Sequence, residues 1–296
     1  MLSDHTSALI KDWKLWPNIC PGQPNNDNFK ALVKGLTNSN LLFKSEDTHS
    51  HTKYVFRINA QNAQSLGLNR HAEWHIHQCI AQYNICKPYV YRDPKDIYWI
   101  RPFIESQTLQ ETLLNCSEQD TSIYLKTVAK KLKMTHSIPL SSAWPNIDFK
   151  QRTDHYWKQI LKQIEDSKAL SDALSAYKSE IDIQLKSPGY SLRLCHMDPN
   201  PNNWIIDTDN IYLIDWEYAA IGNPAWDIAV FCDSCNLTNE QKEQFLKDYG
   251  NGQIKLSQLE FADRQMKYLS ALWYCVQKII SPENLLPALD ELIKQS

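Results

Sequence analysis

Residues 195–217 read CHMDPNPNNWIIDTDNIYLIDWE, and the placing of two short apolar runs among Asp and Asn residues there decides how the rest of the chain is read. Residues 204–206 (WII) and 211–214 (IYLI) have strand character, and the intervening DTDN is a turn built from residues that favour one. The two runs are expected to pair as an antiparallel hairpin. Such a hairpin brings the residue before its first strand beside the residue after its second, which sets Asn203 next to Asp215 at the open end. A carboxylate and an amide oxygen side by side are the hard ligands that Mg²⁺ takes at about 2.1 Å, with phosphate oxygens and water completing the set.

Asp198 lies upstream in HMDPNPNN, where two Pro and three Asn exclude regular helix and favour a rigid loop. A loop carboxylate beside a metal-bound phosphate orients an alcohol and accepts its proton as the phosphoryl group moves. The pattern H-x-D-x-x-x-x-N, then a strand pair and an Asp, has the spacing of the protein-kinase catalytic loop and its metal-binding Asp. Each residue alone also reads as a turn former, and Asp215 as a cap. Spacing, residue types and hairpin taken together favour the chemical reading.

The chain has 296 residues, 43% hydrophobic, enough for one large domain or two lobes with their own cores. A net charge of −3 without a Lys/Arg run offers no surface for a nucleic-acid backbone, so no nucleic-acid partner is expected. Charged residues interrupt every apolar run of MLSDHTSALIKDWKLWP, and nothing later reaches eighteen apolar residues, so neither a signal peptide nor a membrane span is expected. Eight scattered Cys without an export signal favour reduced thiols and a cytoplasmic location. Cys232 and Cys235 form a C-x-x-C pair that reads either as half of a zinc or redox site or, after an apolar run, as buried thiols.

Residues 41–44 and 54–58 suit a hairpin, 69–83 carry apolar positions at helical spacing behind an Asn69 cap, and 96–104 suit another strand. Beyond about residue 105 the pattern turns helical over 107–115, 120–137, 153–185, 238–249, 256–280 and 282–295, interrupted by the strands of 203–216. The expected architecture is α+β: a small β-rich N-terminal lobe, 1–103, and a larger, mainly helical lobe, 104–296.

CHMDPNPNNWI, LIDWEYAAIGNPAWDIAVF and the upstream GLTNSNLLF together resemble the aminoglycoside phosphotransferase and choline kinase superfamily, nearest its bacterial choline kinase and thiamine kinase branch. The resemblance spans roughly residues 35–275 and is most specific over 194–230. It implies a protein-kinase-like bilobal fold and ATP-dependent phosphorylation of a small-molecule hydroxyl. It makes Asp198 the catalytic base, Asn203 and Asp215 the Mg²⁺ ligands, His196 a brace of the loop, and Asp227 the structural Asp that ties its segment back to that loop.

On the nucleotide side the resemblance points to KGLTNSNLLF as the phosphate loop. It has Gly35 alone, so Thr37, Asn38 and Ser39 side chains or backbone amides would serve. Arg57 stands where the superfamily has a phosphate-binding Lys, with Glu73 as its partner; as residues alone, the two also read as a solvated surface pair. Residues 100–105, with Arg101 and Phe103, are the implied hinge whose backbone receives adenine.

For the acceptor, Trp216, Glu217, Tyr218, Trp226, Tyr268, Trp273 and Tyr274 supply aromatic faces and a carboxylate suited to a cationic alcohol, although any single aromatic also reads as core. LRLCHMD and IDWEYA are similar to thiamine kinases, whereas NPAWDIA is closer to bacterial choline kinases. An aminoglycoside or sugar kinase of the same superfamily, and a catalytically silent nucleotide-binding protein, remain the alternatives.

Overall fold

The computed structural model describes residues 2–32, 37–45, 53–63, 66–185, 191–208, 210–250 and 252–294. The chain divides into two compact units, Met1–Ser106 with Asp207–Tyr212, and Gln107–Ile206 with Leu213–Ser296.

The first unit contains α1 (Leu2–Lys11), β1 (Phe29–Ala31), β2 (Ser39–Lys44), β3 (Lys53–Ile58), α2 (Arg70–Ala81), β4 (Tyr91–Arg92) and β5 (Tyr98–Pro102). The five strands form one antiparallel sheet in the order β1-β2-β3-β5-β4. Pairing of Leu41 with Phe56 and of Phe56 with Ile100 puts these residues on one face, where they pack with Trp16, Phe29, Phe43 and Tyr98. Alternation sends Val55, Arg57, Trp99 and Arg101 to the opposite face. The α2 side chain Trp74 meets Trp99 there edge-on at 5.5 Å. α2 starts where the sequence predicts, the Asn69 side chain accepting from the Ala72 amide at 3.0 Å. Ala72, Ile76 and Ile80, at helical spacing, are its buried stripe.

The remaining elements, in the second unit apart from Asp207–Tyr212, are α3 (Leu109–Leu113), α4 (Glu118–His136), α5 (Phe149–Gln163), α6 (Lys168–Gln184), β6 (Arg193–Cys195), β7 (Trp204–Asp207), β8 (Asn210–Leu213), β9 (Ala220–Gly222), α7 (Pro224–Ser234), α8 (Asn239–Gly250), α9 (Leu256–Val276) and α10 (Pro282–Lys294). The tip of the β7–β8 hairpin groups with the first unit. The periodic segment 153–185 is two helices rather than one, because the backbone leaves helical geometry at Ile164 and the polar Glu165-Asp166-Ser167 stretch turns. Apolar periodicity alone does not see such a turn when both helices face the same core. That core joins Trp157 and Ile160 of α5, Leu174 and Ile181 of α6, Tyr268 and Leu272 of α9, and Leu285 and Leu289 of α10. Each fully buried Leu or Ile of this set contributes about 2 kcal/mol.

Helix α7 is missing from the periodic segments for the opposite reason. Ala225, Trp226, Asp227, Ile228, Ala229, Phe231 and Cys232 are all buried, so the helix has no polar face to alternate with an apolar one. No helix among the described residues is long and apolar enough to cross a membrane. The eight Cys are free thiols. Burial pushes the Cys235 thiol up to about 12 and raises Cys232 as well, so the C-x-x-C pair holds neutral thiols rather than a reactive thiolate.

Candidate active site

Strand β6 pairs antiparallel with β9, Cys195 opposite Ala220, and delivers the chain into the loop of Asp198. One carboxylate holds the start of that loop. Asp227, from the first turns of α7, accepts the Met197 amide on Oδ1 at 2.7 Å and the His196 amide on Oδ2 at 2.8 Å. Its Oδ2 also lies 2.9 Å from His136 Nε2 of α4, and the Tyr249 hydroxyl of α8 lies 2.9 Å from His136 Nδ1. Asp227 is fully buried. The Cys195 thiol lies within 4.8 Å of the His136 and Asp227 ligand atoms. With three donors already on its two oxygens, Asp227 is a hydrogen-bond hub rather than a metal ligand.

His196, also fully buried, faces the Ile214 carbonyl through Nε2 at 2.9 Å, which makes that nitrogen the donor. Its Nδ1 then accepts the Asp198 amide at 3.2 Å, and its ring meets Trp216 edge-on at 4.6 Å. The loop needs this clamping. Met197 has φ +75°, a left-handed conformation costing a non-glycine residue about 1–3 kcal/mol, so neighbours must impose it. α7 itself is set by an Asn223 cap and Pro224 at its first position, and Gly222 lets it close: a Cβ there would lie 2.7 Å from the Trp226 ring.

The Asp198 carboxylate accepts from the Asn200 side chain on Oδ1 at 2.9 Å and from the Asn203 side chain on Oδ2 at 3.2 Å. Asn203 Nδ2 also donates to the Asp198 carbonyl at 2.8 Å. Burial pushes the Asp198 carboxyl up to about 6; the two amide hydrogen bonds oppose the rise, and the charges of Glu217 and Asp227 add to it. The hairpin closes as its sequence predicts, with the Ile214 amide donating to the Asn203 carbonyl at 2.8 Å, so Asp215 follows directly beside Asn203. Asp215 is the second left-handed residue of the site, φ +65°. Because its Nδ2 is committed to Asp198, Asn203 offers its amide oxygen as a ligand atom, and with the Asp215 carboxylate this is a hard, oxygen-only pair of the kind that fits Mg²⁺.

In the first unit, Arg57 and Glu73 are a buried pair, not a solvated one, with side chains 4% and 1% exposed. Arg57 Nη1 donates to Glu73 Oε1 and, at 3.1 Å, to the Tyr89 hydroxyl, and its guanidinium lies 5.1 Å from the centre of the Trp99 ring. Glu73 Oε2 accepts from Arg70 at 2.8 Å. Arg101 shares this sheet face, and its charge helps that of Arg57 and, above all, burial to hold His77 at about 3, neutral at physiological pH. Glu73→Gln leaves two guanidinium groups facing a neutral amide and is expected to cost about 3 kcal/mol, read as a lower midpoint in urea unfolding.

Gly35 lies outside the described residues. Thr37 is half-buried. The Asn38 oxygen is already occupied, accepting from the Ala60 amide and from Arg70, both at 3.1 Å, so its side chain ties the loop to α2. At the expected hinge the Phe103 amide donates to the Lys53 carbonyl at 2.9 Å, which commits that donor to the sheet.

The aromatic residues divide sharply. Trp216 and Trp226 are 1% and 0% exposed, and their indole N–H groups donate to the Leu213 carbonyl at 2.9 Å and to Gln265 at 2.7 Å. Both are core, and neither offers a face to an acceptor. Tyr268 is core too, accepting from Trp157 at 2.6 Å. Trp273 is different: half-buried, it donates to the Tyr218 hydroxyl at 2.8 Å and meets the partly exposed Tyr274 edge-on at 5.3 Å. Glu217 is buried, and its charge reaches Asp198.

His136 and Tyr249 were not singled out from the sequence, where each is one polar residue near the end of an amphipathic helix. Only the packing of α4 and α8 brings them under Asp227.

A choline/ethanolamine kinase family model matches residues 29–271. LicA of Haemophilus influenzae is 27% identical over 268 residues, covering 84% of this chain and 72% of its own. Among solved structures, the choline kinase LicA of Streptococcus pneumoniae aligns with TM-score 0.72 at 18% identity, over 99% of this chain and 100% of its own. The ADP-bound aminoglycoside phosphotransferase APH(2'')-Ib aligns with TM-score 0.63 at 19% identity, over 98% of this chain and 97% of its own. The fold is therefore α+β and protein-kinase-like. The family match runs through the Asp198 loop, the Asn203–Asp215 hairpin and the Asp227 anchor alike, and the chain belongs to the choline/ethanolamine kinase family of small-molecule kinases.

Proposed function

We propose that the protein transfers the γ-phosphoryl group of ATP to the hydroxyl of a choline-type amino alcohol. The observation that carries this reading is the cluster of Asp198, Asn203 and Asp215 with the buried Glu217 carboxylate in electrostatic reach of Asp198. Glu217, the Tyr218–Trp273 pair and Tyr274 offer a carboxylate and aromatic faces in one stretch of the second unit, the chemistry that recognises a quaternary ammonium group. The family covers choline and ethanolamine, and aromatic faces favour the methylated cation over the primary amine.

In this reading Asp198 accepts the hydroxyl proton as the acceptor oxygen bonds to the γ-phosphorus and the bond from that phosphorus to the β,γ-bridging oxygen breaks, releasing ADP. Asn200 and Asn203 hold the carboxylate in one rotamer, and His196 and Asp227 hold the backbone beneath it. Asn203 and Asp215 would hold Mg²⁺, which, when bound, neutralises phosphate charge as it shifts to the leaving oxygen. Arg57, fixed by Glu73, would supply a cation to the phosphates.

The deciding assay is ATP consumption against choline, ethanolamine, thiamine and an aminoglycoside. Choline is expected to give the highest kcat/KM; thiamine or the aminoglycoside turning over best would sink the choline assignment. Asp215→Ala is expected to weaken Mg·ATP binding at least about tenfold in calorimetric titration, and an unaltered Kd would remove Asp215 from the metal site. The pH profile carries its own test. A base must be ionised, and Asp198 titrates at about 6, so kcat/KM is expected to be flat above that pH and to fall about tenfold per unit well below it. A limb near pH 4 instead would mean that Asp198 is not the titrating group.

A further inference from the structure

A cleft of about 250 Å³ opens in the second unit where the last turn of α4, the start of β6 and the segment after α8 meet, and its walls include Lys133, Ser191, Arg193, Tyr249 and Gln253. None of the residues that line it is acidic. Lys133 and Arg193 form no ion pair among the described residues, whereas Lys150, Lys178 and Lys267 of the same unit each lie between two carboxylates. Partial burial, and then the like charge of Arg193, hold the Lys133 ammonium below its usual value. Gln253 Oε1 accepts from Lys133, whose ammonium lies 5.3 Å from the centre of the Tyr249 ring.

Two neighbouring cations without a counter-charge repel each other, and an oxyanion set between them turns that repulsion into two charge-assisted hydrogen bonds, each worth about 1.5–3 kcal/mol. The Arg193 guanidinium, whose Nη1 donates to the Leu192 carbonyl at 2.9 Å, has further N–H donors for an oxyanion, the Lys133 ammonium is a compact charge, and Ser191 adds a hydroxyl. A carboxylate uses only two oxygens, whereas a phosphate group presents three or four to donors on different walls. We propose that this cleft, which His136 and Tyr249 also line, binds a phosphate-class oxyanion, inorganic phosphate or a phosphate monoester, with none of Asp198, Asn203 and Asp215 in its walls.

The test is site-resolved and does not require activity, so it stands or fails apart from the kinase assignment. Lysines of the intact protein are acylated with a succinimidyl ester, and each is quantified by mass spectrometry, with the exposed Lys126 and Lys130 of the same helix as internal controls. Inorganic phosphate and phosphocholine are the probes, and sodium chloride at equal ionic strength is the reference. Phosphate or phosphocholine is expected to slow acylation of Lys133 at least about fivefold without slowing Lys126 or Lys130, and the probe acting at lower concentration names the source. Arg193→Gln is expected to raise the half-protecting concentration about tenfold, the equivalent of one charge-assisted contact. An acylation rate of Lys133 indifferent to both anions overturns the proposal. So does equal protection by chloride, or protection that Arg193→Gln leaves unchanged.

Discussion

Asp198→Asn is expected to lower kcat about a thousandfold while leaving the Kd for Mg·ATP within about twofold. The substitution keeps the size of the side chain and removes only its capacity to take a proton. Proton transfer by a positioned base contributes typically 10²–10⁴ in rate, and here the base is also the group whose oxygens, fixed by Asn200 and Asn203, orient the acceptor hydroxyl. Nucleotide affinity belongs to other residues. The limb of the pH profile near 6 should vanish with the carboxyl that produces it. A variant retaining more than about a tenth of the wild-type kcat would show that the acceptor loses its proton elsewhere. If the wild-type protein binds Mg·ATP and transfers to no acceptor, the chain is a nucleotide-binding protein with an unused catalytic loop.

Asp227→Ala is expected to destabilise the protein by about 3–5 kcal/mol in urea unfolding and to depress kcat in whatever protein remains folded. The carboxylate is the acceptor for the His196 and Met197 amides and for His136, and all of these groups are buried. Removing it leaves three donors without water or protein to receive them, at about 1–3 kcal/mol each, less what relaxation recovers. The clamp on Met197 goes with it, and a residue at φ +75° then has reason to relax and carry Asp198 out of place. Asp227→Asn, which keeps one acceptor oxygen, is expected to cost about half as much. A loss under about 1 kcal/mol with kcat intact would mean that the loop holds itself.

Local chemistry made much of this molecule legible from its sequence. The β2–β3 hairpin, the Asn69-capped helix and the β7–β8 hairpin with Asn203 and Asp215 at its open end all follow from alternation, capping and turn residues acting over a few positions. Reading failed where the signal is not local. The three-residue strands β6 and β9 are too short for alternation to register, and they pair only because the chain returns from 195 to 220. Helix α7 has no polar face to give it a period. Trp216 and Trp226, near the loop in sequence, could not be told from binding-site aromatics until packing showed their rings in the core and Trp273 outside it.

What the sequence by itself determined is therefore the set of chemical groups and their short-range order: a loop carboxylate, an amide five residues on, a hairpin and a second carboxylate. What only the tertiary structure decided is the environment that makes those groups work. Burial sets Asp198 at about 6, α4 and α8 bring His136 and Tyr249 beneath Asp227, and the sheet buries Arg57 with Glu73. The physical reason is range: capping and alternation act within a turn or a strand, while desolvation and charge coupling depend on every element that excludes water from the site, wherever it lies in the chain.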